Sequence, residues 1–295
     1  MCDSKGNAVS GSDVIAALAK RFPQLHVAPA EDALEANRAA AGRGVVPANA
    51  NLDHFLTSPD DLLREVDTPA GTVEVVFLKE RVDFETFLQI VGYKSQPVPI
   101  ARTIGAVTYR GLADWGQVAN AYMDYIASGG DDWPGEFRRL AKQPGAFRTE
   151  IVIISEGPYS NISADETAYT HDEWIRVSRE IRLHHECAHV VCRRMLPEDV
   201  LAVWDEITAD VVGLLFATGS YDVDLAARFL GVTASGFADG RLSEYLDDSQ
   251  SSRIDDIAVE VHNAIERIGA MCGADEKSDP FGFLLQLKAN PFIQY

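Results

Sequence analysis

The chain has 295 residues, 46% hydrophobic and 24% charged, so it can bury a sizeable core in one large domain or two lobes. A formal net charge of −19 excludes a phosphate-backbone partner, because nucleic-acid binding needs a basic face to displace counterions. No run of 18 or more apolar residues is present, which excludes a transmembrane helix.

The amino-terminal stretch Met1-Cys2-Asp3-Ser4-Lys5-Gly6 lacks the hydrophobic segment of a secretory signal, so a cytoplasmic protein is expected. An exported protein or lipoprotein trimmed of its leader is the alternative, since a cysteine followed by a polar stretch is also what lipoprotein processing leaves. Ser12 to Arg21 and Pro59-Asp60-Asp61-Leu62-Leu63-Arg64 start like capped helices. Between them Ala28 to Asn51, rich in alanine, glycine and proline, reads as loosely organised. Val73 to Leu78 follows as a strand, Asp83 to Val91 as a short helix, and Pro97-Val98-Pro99 as a break.

Trp115 to Ser128 is helical in pattern, closed by Gly129-Gly130, and Glu150-Ile151-Val152-Ile153-Ile154 makes a strongly apolar strand. The segment Ile151 to Tyr159 has two readings: a sheet edge able to pair with a peptide backbone, or a central buried strand, since its side chains do not alternate. Residues 1–110 read as an amino-terminal α/β region and 111–295 as a second domain, which can also be continuous with the first. Asn161-Ile162-Ser163 matches a glycosylation acceptor, which without a leader reads as chance.

Thr170-His171-Asp172-Glu173 is a capping box, and Trp174, Ile175, Val177, Ile181, Ala188, Val191 and Cys192 supply an apolar stripe for a helix running to Leu196, where Pro197 breaks it. Inside that helix stands His185-Glu186-Cys187-Ala188-His189. Residues four apart lie on one helix face, about 6 Å from each other, so the two imidazoles can grip one metal ion with Glu186 beside it as general base. Taken alone, the pattern also fits a solvated helix face. His184 turns about 100° from its neighbour and reads as a packing residue; Cys187 faces away from the histidines and reads as core. Cys187 and Cys192 diverge on one helix and Cys2 and Cys272 lie near opposite ends, so reduced thiols are expected.

A second signal lies downstream. Glu206 and Asp210, four apart in an otherwise apolar segment from Val200 to Phe216, need partners if they are buried. A helix starting near Glu198 and running antiparallel to the first brings Glu206 level with His189, roughly 12 Å back along the pair, and Asp210 level with His185. Glu206 is then the third metal ligand, and Asp210 accepts the outer N–H of a liganding histidine, His185 being the nearer. An aspartate in the ligand role, Asp205 or Asp210, is the lower-ranked alternative, since Glu206 with Asp210 explains both acids.

His185-Glu186-Cys187-Ala188-His189 followed by Glu206-Ile207-Thr208-Ala209-Asp210 resembles the signature of the gluzincins, the thermolysin-like zinc metallopeptidases, over about residues 150 to 220. The resemblance implies an α+β, zincin-like fold with a small sheet upstream of an active-site helix and a mainly helical carboxy-terminal half. It implies one Zn2+ on His185, His189 and Glu206, with Asp210 steadying the first histidine and Glu186 as base towards a peptide or protein substrate. A metzincin is excluded by Cys192 and Met195, where a glycine and a histidine would stand, and a deformylase by Pro158 after Glu156-Gly157. Tyr221, Tyr245 and His262 are the candidates for a donor to the oxyanion of a hydrolytic intermediate. The competing expectations are a zinc-binding, catalytically silent binding or regulatory protein, and a metal-free helical protein. Further helices are read at Asp224 to Leu230 and Arg253 to Met271.

Overall fold

The computed structural model describes residues 8–196 and 201–293. Cys2 and the rest of the amino-terminal stretch, the Pro197 break and the helix start expected near Glu198 lie outside the described residues. The chain is α+β and forms two compact units, one of residues 1–66 and 73–155, the other of 67–72 and 156–295.

The first unit is built on a five-stranded sheet. Its strands are β1 (Val9–Ser10), β2 (Leu62–Thr68), β3 (Gly71–Leu78), β4 (Ala106–Ala113) and β5 (Arg148–Ser155), in the order β1-β2-β3-β5-β4. β5 runs parallel to β3, with Val75 opposite Val152, and antiparallel to β4, with Val107 opposite Ile153. Because β5 is paired on both sides, the edge role that Ile151 to Tyr159 could have had is overturned: Ile151, Val152, Ile153 and Ile154 are buried, as a central strand requires. β5, which ends at Ser155, is bonded into the sheet of the first unit.

Helices α1 (Asp13–Arg21), α2 (Leu34–Arg43), α3 (Arg81–Val91), α4 (Trp115–Ala127) and α5 (Trp133–Leu140) complete this unit. Val14, Leu18, Phe22, Phe84 and Phe87 pack with Val76 and Ile153 in its core. Two sequence expectations fail here for local reasons. Pro59 to Arg64 does not start a helix, because the Asp61 carboxylate accepts from Ser58 N and Lys79 N, both at 2.9 Å, and the chain continues into β2. The alanine-rich stretch holds α2, fastened by the buried Asn37 amide, which donates to Ile90 O and Ser95 Oγ at 2.9 and 2.8 Å.

The second unit is mainly helical. α6 (His171–Met195) begins at a capping box in which Thr170 N donates to Glu173 Oε2 at 2.9 Å, and it carries Arg193 and Arg194 in its last turn, favourable to the helix dipole. Leu196 is extended, as the residue before a proline must be. α7 (Ala202–Thr218) is buried on almost all sides and packs along α6. α8 (Val223–Leu230), a two-stranded β6 (Val232–Thr233) and β7 (Gly236–Phe237), α9 (Asp248–Ser251), α10 (Ile254–Met271), α11 (Ala274–Ser278) and α12 (Pro280–Ala289) follow. Trp174, Trp204, Val211, Phe229, Val261, Ile265 and Leu287 share its core. Among the described residues Cys187, Cys192 and Cys272 form no disulfide, and the first two are buried. No helix among the described residues is long and apolar enough to cross a membrane.

Candidate metal centre

The antiparallel pair α6 and α7 brings His185, His189 and Glu206 together, each offering one ligand atom, all within 4.8 Å of one another. The two Nε2 atoms are 3.0 Å apart; His185 Nε2 lies 3.4 Å from Glu206 Oε2 and His189 Nε2 lies 3.4 Å from Glu206 Oε1. A tetrahedral zinc ion with bonds of about 2.0–2.1 Å sets its ligand atoms roughly 3.3–3.4 Å apart; the two histidine-to-carboxylate distances match that, each to a different Glu206 oxygen, while the two Nε2 atoms stand closer, at a hydrogen-bond separation.

Both imidazoles are held by their outer nitrogens. Nδ1 of His185 is 2.8 Å from Asp210 Oδ1, and Nδ1 of His189 is 2.7 Å from Asp205 Oδ2. A carboxylate at Nδ1 favours the proton on that nitrogen and leaves the Nε2 lone pair for the centre. Asp205 thus stands behind His189 rather than in the ligand set, and Asp210 stands behind His185. Each lies on α7 opposite the imidazole it serves.

Asp210 is buried and fully bonded. It accepts from the Tyr159 hydroxyl and from Arg241 Nη2, both at 2.5 Å, besides its contact with His185. Arg241 is buried in turn, lying 4.9 Å over the Tyr159 ring, with Nη1 3.3 Å from the Tyr245 hydroxyl and 3.7 Å from Glu206 Oε2. Tyr159 is delivered by α6: Ser178 Oγ accepts from Tyr159 N at 2.9 Å, and Arg182 donates to Gly157 O and Pro158 O at 2.6 and 2.7 Å. Arg241 and Tyr245 are delivered by a 3-10 turn, Arg241–Tyr245, after α8. That turn is fixed by a close backbone crossing, since a Cβ on Gly231 (φ +69°) would sit 2.1 Å from Asp239 O.

The electrostatics follow from burial opposed by pairing. Burial alone would push His189 down, but its bonds to Asp205 and Glu206 outweigh it and raise the pKa to about 10. Burial opposes ionisation of Glu206 as well, yet the two histidines hold its carboxyl far below the ordinary range. Asp210 is likewise lowered against burial, chiefly by Arg241 and then by His185 and Tyr159. Burial, with Glu206 adding to it against Arg241, raises Tyr245 well above an ordinary phenol, so its O–H remains a donor.

Glu186 lies half-buried on α6 beside His185. Of the three oxyanion candidates, Tyr245 is at the centre, its hydroxyl accepting from Arg241 Nη1 at 3.3 Å. Tyr221 has a buried hydroxyl, and His262 a buried Nδ1, without a hydrogen-bond partner among the described residues. His184 stacks on Phe216 with ring centroids 4.0 Å apart, a packing contact. Tyr159, Arg241 and Lys288, which is bonded to Asp205, were not marked by the sequence. They come from segments far from the motif, and no local pattern in the sequence points to them.

The chain belongs to a family of unknown function, DUF7005, whose family model matches residues 6–276. No curated protein and no solved structure matches it.

Proposed function

We propose that the chain is a gluzincin-like, zincin-type zinc metallopeptidase acting on a peptide or protein substrate. The observation that supports the reading is the convergence of two Nε2 atoms and the Glu206 carboxylate, one ligand atom of each within 4.8 Å of the others, with each histidine backed by a carboxylate. Without a cation, two imidazoles facing each other in a buried site need an extra proton between them, at a desolvation cost. Three protein ligands leave a position open, as catalytic zinc sites do.

A bound zinc ion would lower the pKa of a coordinated water to about 7 and polarise a substrate carbonyl. His185, His189 and Glu206 hold that ion, and Asp210 and Asp205 orient the two rings. Glu186 takes the proton of the attacking water and returns it to the leaving amine, the role its place in the motif assigns. Tyr245 supplies the hydrogen bond to the developing oxyanion, with Arg241 holding the hydroxyl. The interior place of β5 removes one candidate for pairing with a peptide backbone, and so favours a second reading, a centre that binds zinc without cleaving peptides. Elemental analysis of the purified chain, followed by digestion of a mixed peptide library by wild type and Glu186→Gln, tests both. One zinc per chain with cleavage lost in Glu186→Gln supports the peptidase; zinc with silence from both forms supports the second reading; no zinc removes the two together.

A further inference from the structure

One buried cation at the centre has no counterpart in the ligand set or its expected partners. Lys288, on α12, is only 1% exposed along its side chain, and its ammonium is bonded to Oδ1 of Asp205. The other oxygen of Asp205 faces Nδ1 of His189 at 2.7 Å. Lysines are seldom buried, and one that is needs a paired charge.

Two roles compete for it: a clamp tying α12 to α7, or a group that sets the carboxylate behind the second histidine. α12 is already tied to α7 without it. Phe281, Phe283, Leu284 and Leu287 are buried, Trp204 Nε1 donates to Leu287 O at 3.3 Å, and Trp204 lies 5.4 Å from the ring of Phe292. An apolar residue at 288 would serve that packing without desolvating a charge. The first histidine shows the same pattern from a different direction: Arg241 bonds one oxygen of Asp210 and His185 faces the other. In both chains the cation occupies one carboxylate oxygen and leaves the second for the ring.

We propose that Lys288 is a positioning residue of the metal centre, holding Asp205 so that His189 keeps its Nδ1 bonded and its Nε2 turned to the ion. The proposal rests on the metal reading above. Partners behind a liganding histidine are worth about 10- to 100-fold in metal affinity when removed.

The test is carried out on the full chain with Zn2+, titrated against a chromophoric chelator, and with Co2+, read by its visible absorption. Lys288→Met should bind Zn2+ about tenfold more weakly and shift the Co2+ bands, with Lys288→Arg returning both towards wild type. Phe292→Leu, which loosens the segment just after α12 from Trp204 without touching Lys288 or Asp205, should lower the melting temperature and leave affinity and bands unchanged. Wild-type affinity and bands in Lys288→Met overturn the proposal, as does an equal affinity loss in Phe292→Leu. Should Lys288→Met not fold, Asp205→Asn decides: about 10- to 100-fold weaker Zn2+ binding supports the relay and unchanged binding overturns it. A wild-type chain that takes up neither ion overturns the metal reading itself, whereas binding by wild type with no effect of Lys288→Met overturns only the role of Lys288.

Discussion

Gly213 of α7 lies so close to Ile181 of α6 that a Cβ added to it would meet the Ile181 carbonyl oxygen at 2.8 Å and its Cγ2 at 3.0 Å. This near-contact of backbones sets how tightly the two helices approach, about one turn from Asp210 and His185. Gly213→Ala gains about 1 kcal/mol of helix propensity, but overpacking costs about 1–3 kcal/mol, so a net loss of stability is expected. The same wedge moves Glu206 from the imidazoles. Chemical denaturation should show the loss of stability, and Zn2+ titration a weaker affinity.

Metal-linked stability is the second expectation. An ion that binds only the folded chain adds about 4 kcal/mol at a free concentration 1,000 times its dissociation constant. Chelator should therefore lower the wild-type melting temperature by several degrees. His185→Ala, which removes a ligand, should melt at one temperature with or without Zn2+.

The pH dependence has two arms. His189 has its pKa raised from 6.5 to about 10, so its contribution to the metal-free fold is complete below pH 6.5 and is lost as the pH rises through about 10. Glu206 is depressed below its ordinary 4.5, so its contribution is present above that value and is lost as the pH falls. The metal-free chain should gain most from this pair between about pH 4.5 and 6.5, as denaturation at stepped pH will show. Between pH 6.5 and about 10 a metal ion must displace the His189 proton, so Zn2+ affinity should rise about tenfold per pH unit. Calorimetry in buffers of different ionisation heat should count at least one proton released per ion.

Arg241 and Tyr159 serve the same carboxylate unequally. Arg241→Met leaves Asp210 as a buried, under-compensated charge and should cost about 3–5 kcal/mol. Tyr159→Phe removes one hydrogen bond to that carboxylate and should cost about 1–3 kcal/mol. Denaturant melts of the two variants check the order; equal losses would mean that Asp210 is not held mainly by the guanidinium.

Much of the centre could be read from residue spacing because helices fix it: His185 and His189, and Glu206 and Asp210, are each four apart, so the pairing of α6 with α7 followed from geometry alone. The capping box at Thr170 marked a helix start for an equally local reason. Asp205 was visible only as a rival ligand, since nothing local says which oxygen or which imidazole it meets. Tyr159 and Lys288 join the site across 51 and 83 positions of sequence, which no periodicity records. In the first unit, β4 escaped notice because Arg110 and Gly111 interrupt its apolar pattern at the irregularity in its register. The Pro59-Asp60-Asp61 stretch misled because an aspartate that caps a helix and one that receives a distant amide look alike in sequence.

Lys288 also sets a timetable for the centre. α12 follows α6 and α7 in the chain, so a growing chain has its ligand residues exposed before the cation that steadies Asp205 is made. Metal offered to such a nascent chain meets an imidazole still free to swing. Loading would then come late, after α12 has docked, and a chain cut short of α12 would keep its signature sequence while losing its grip on the ion.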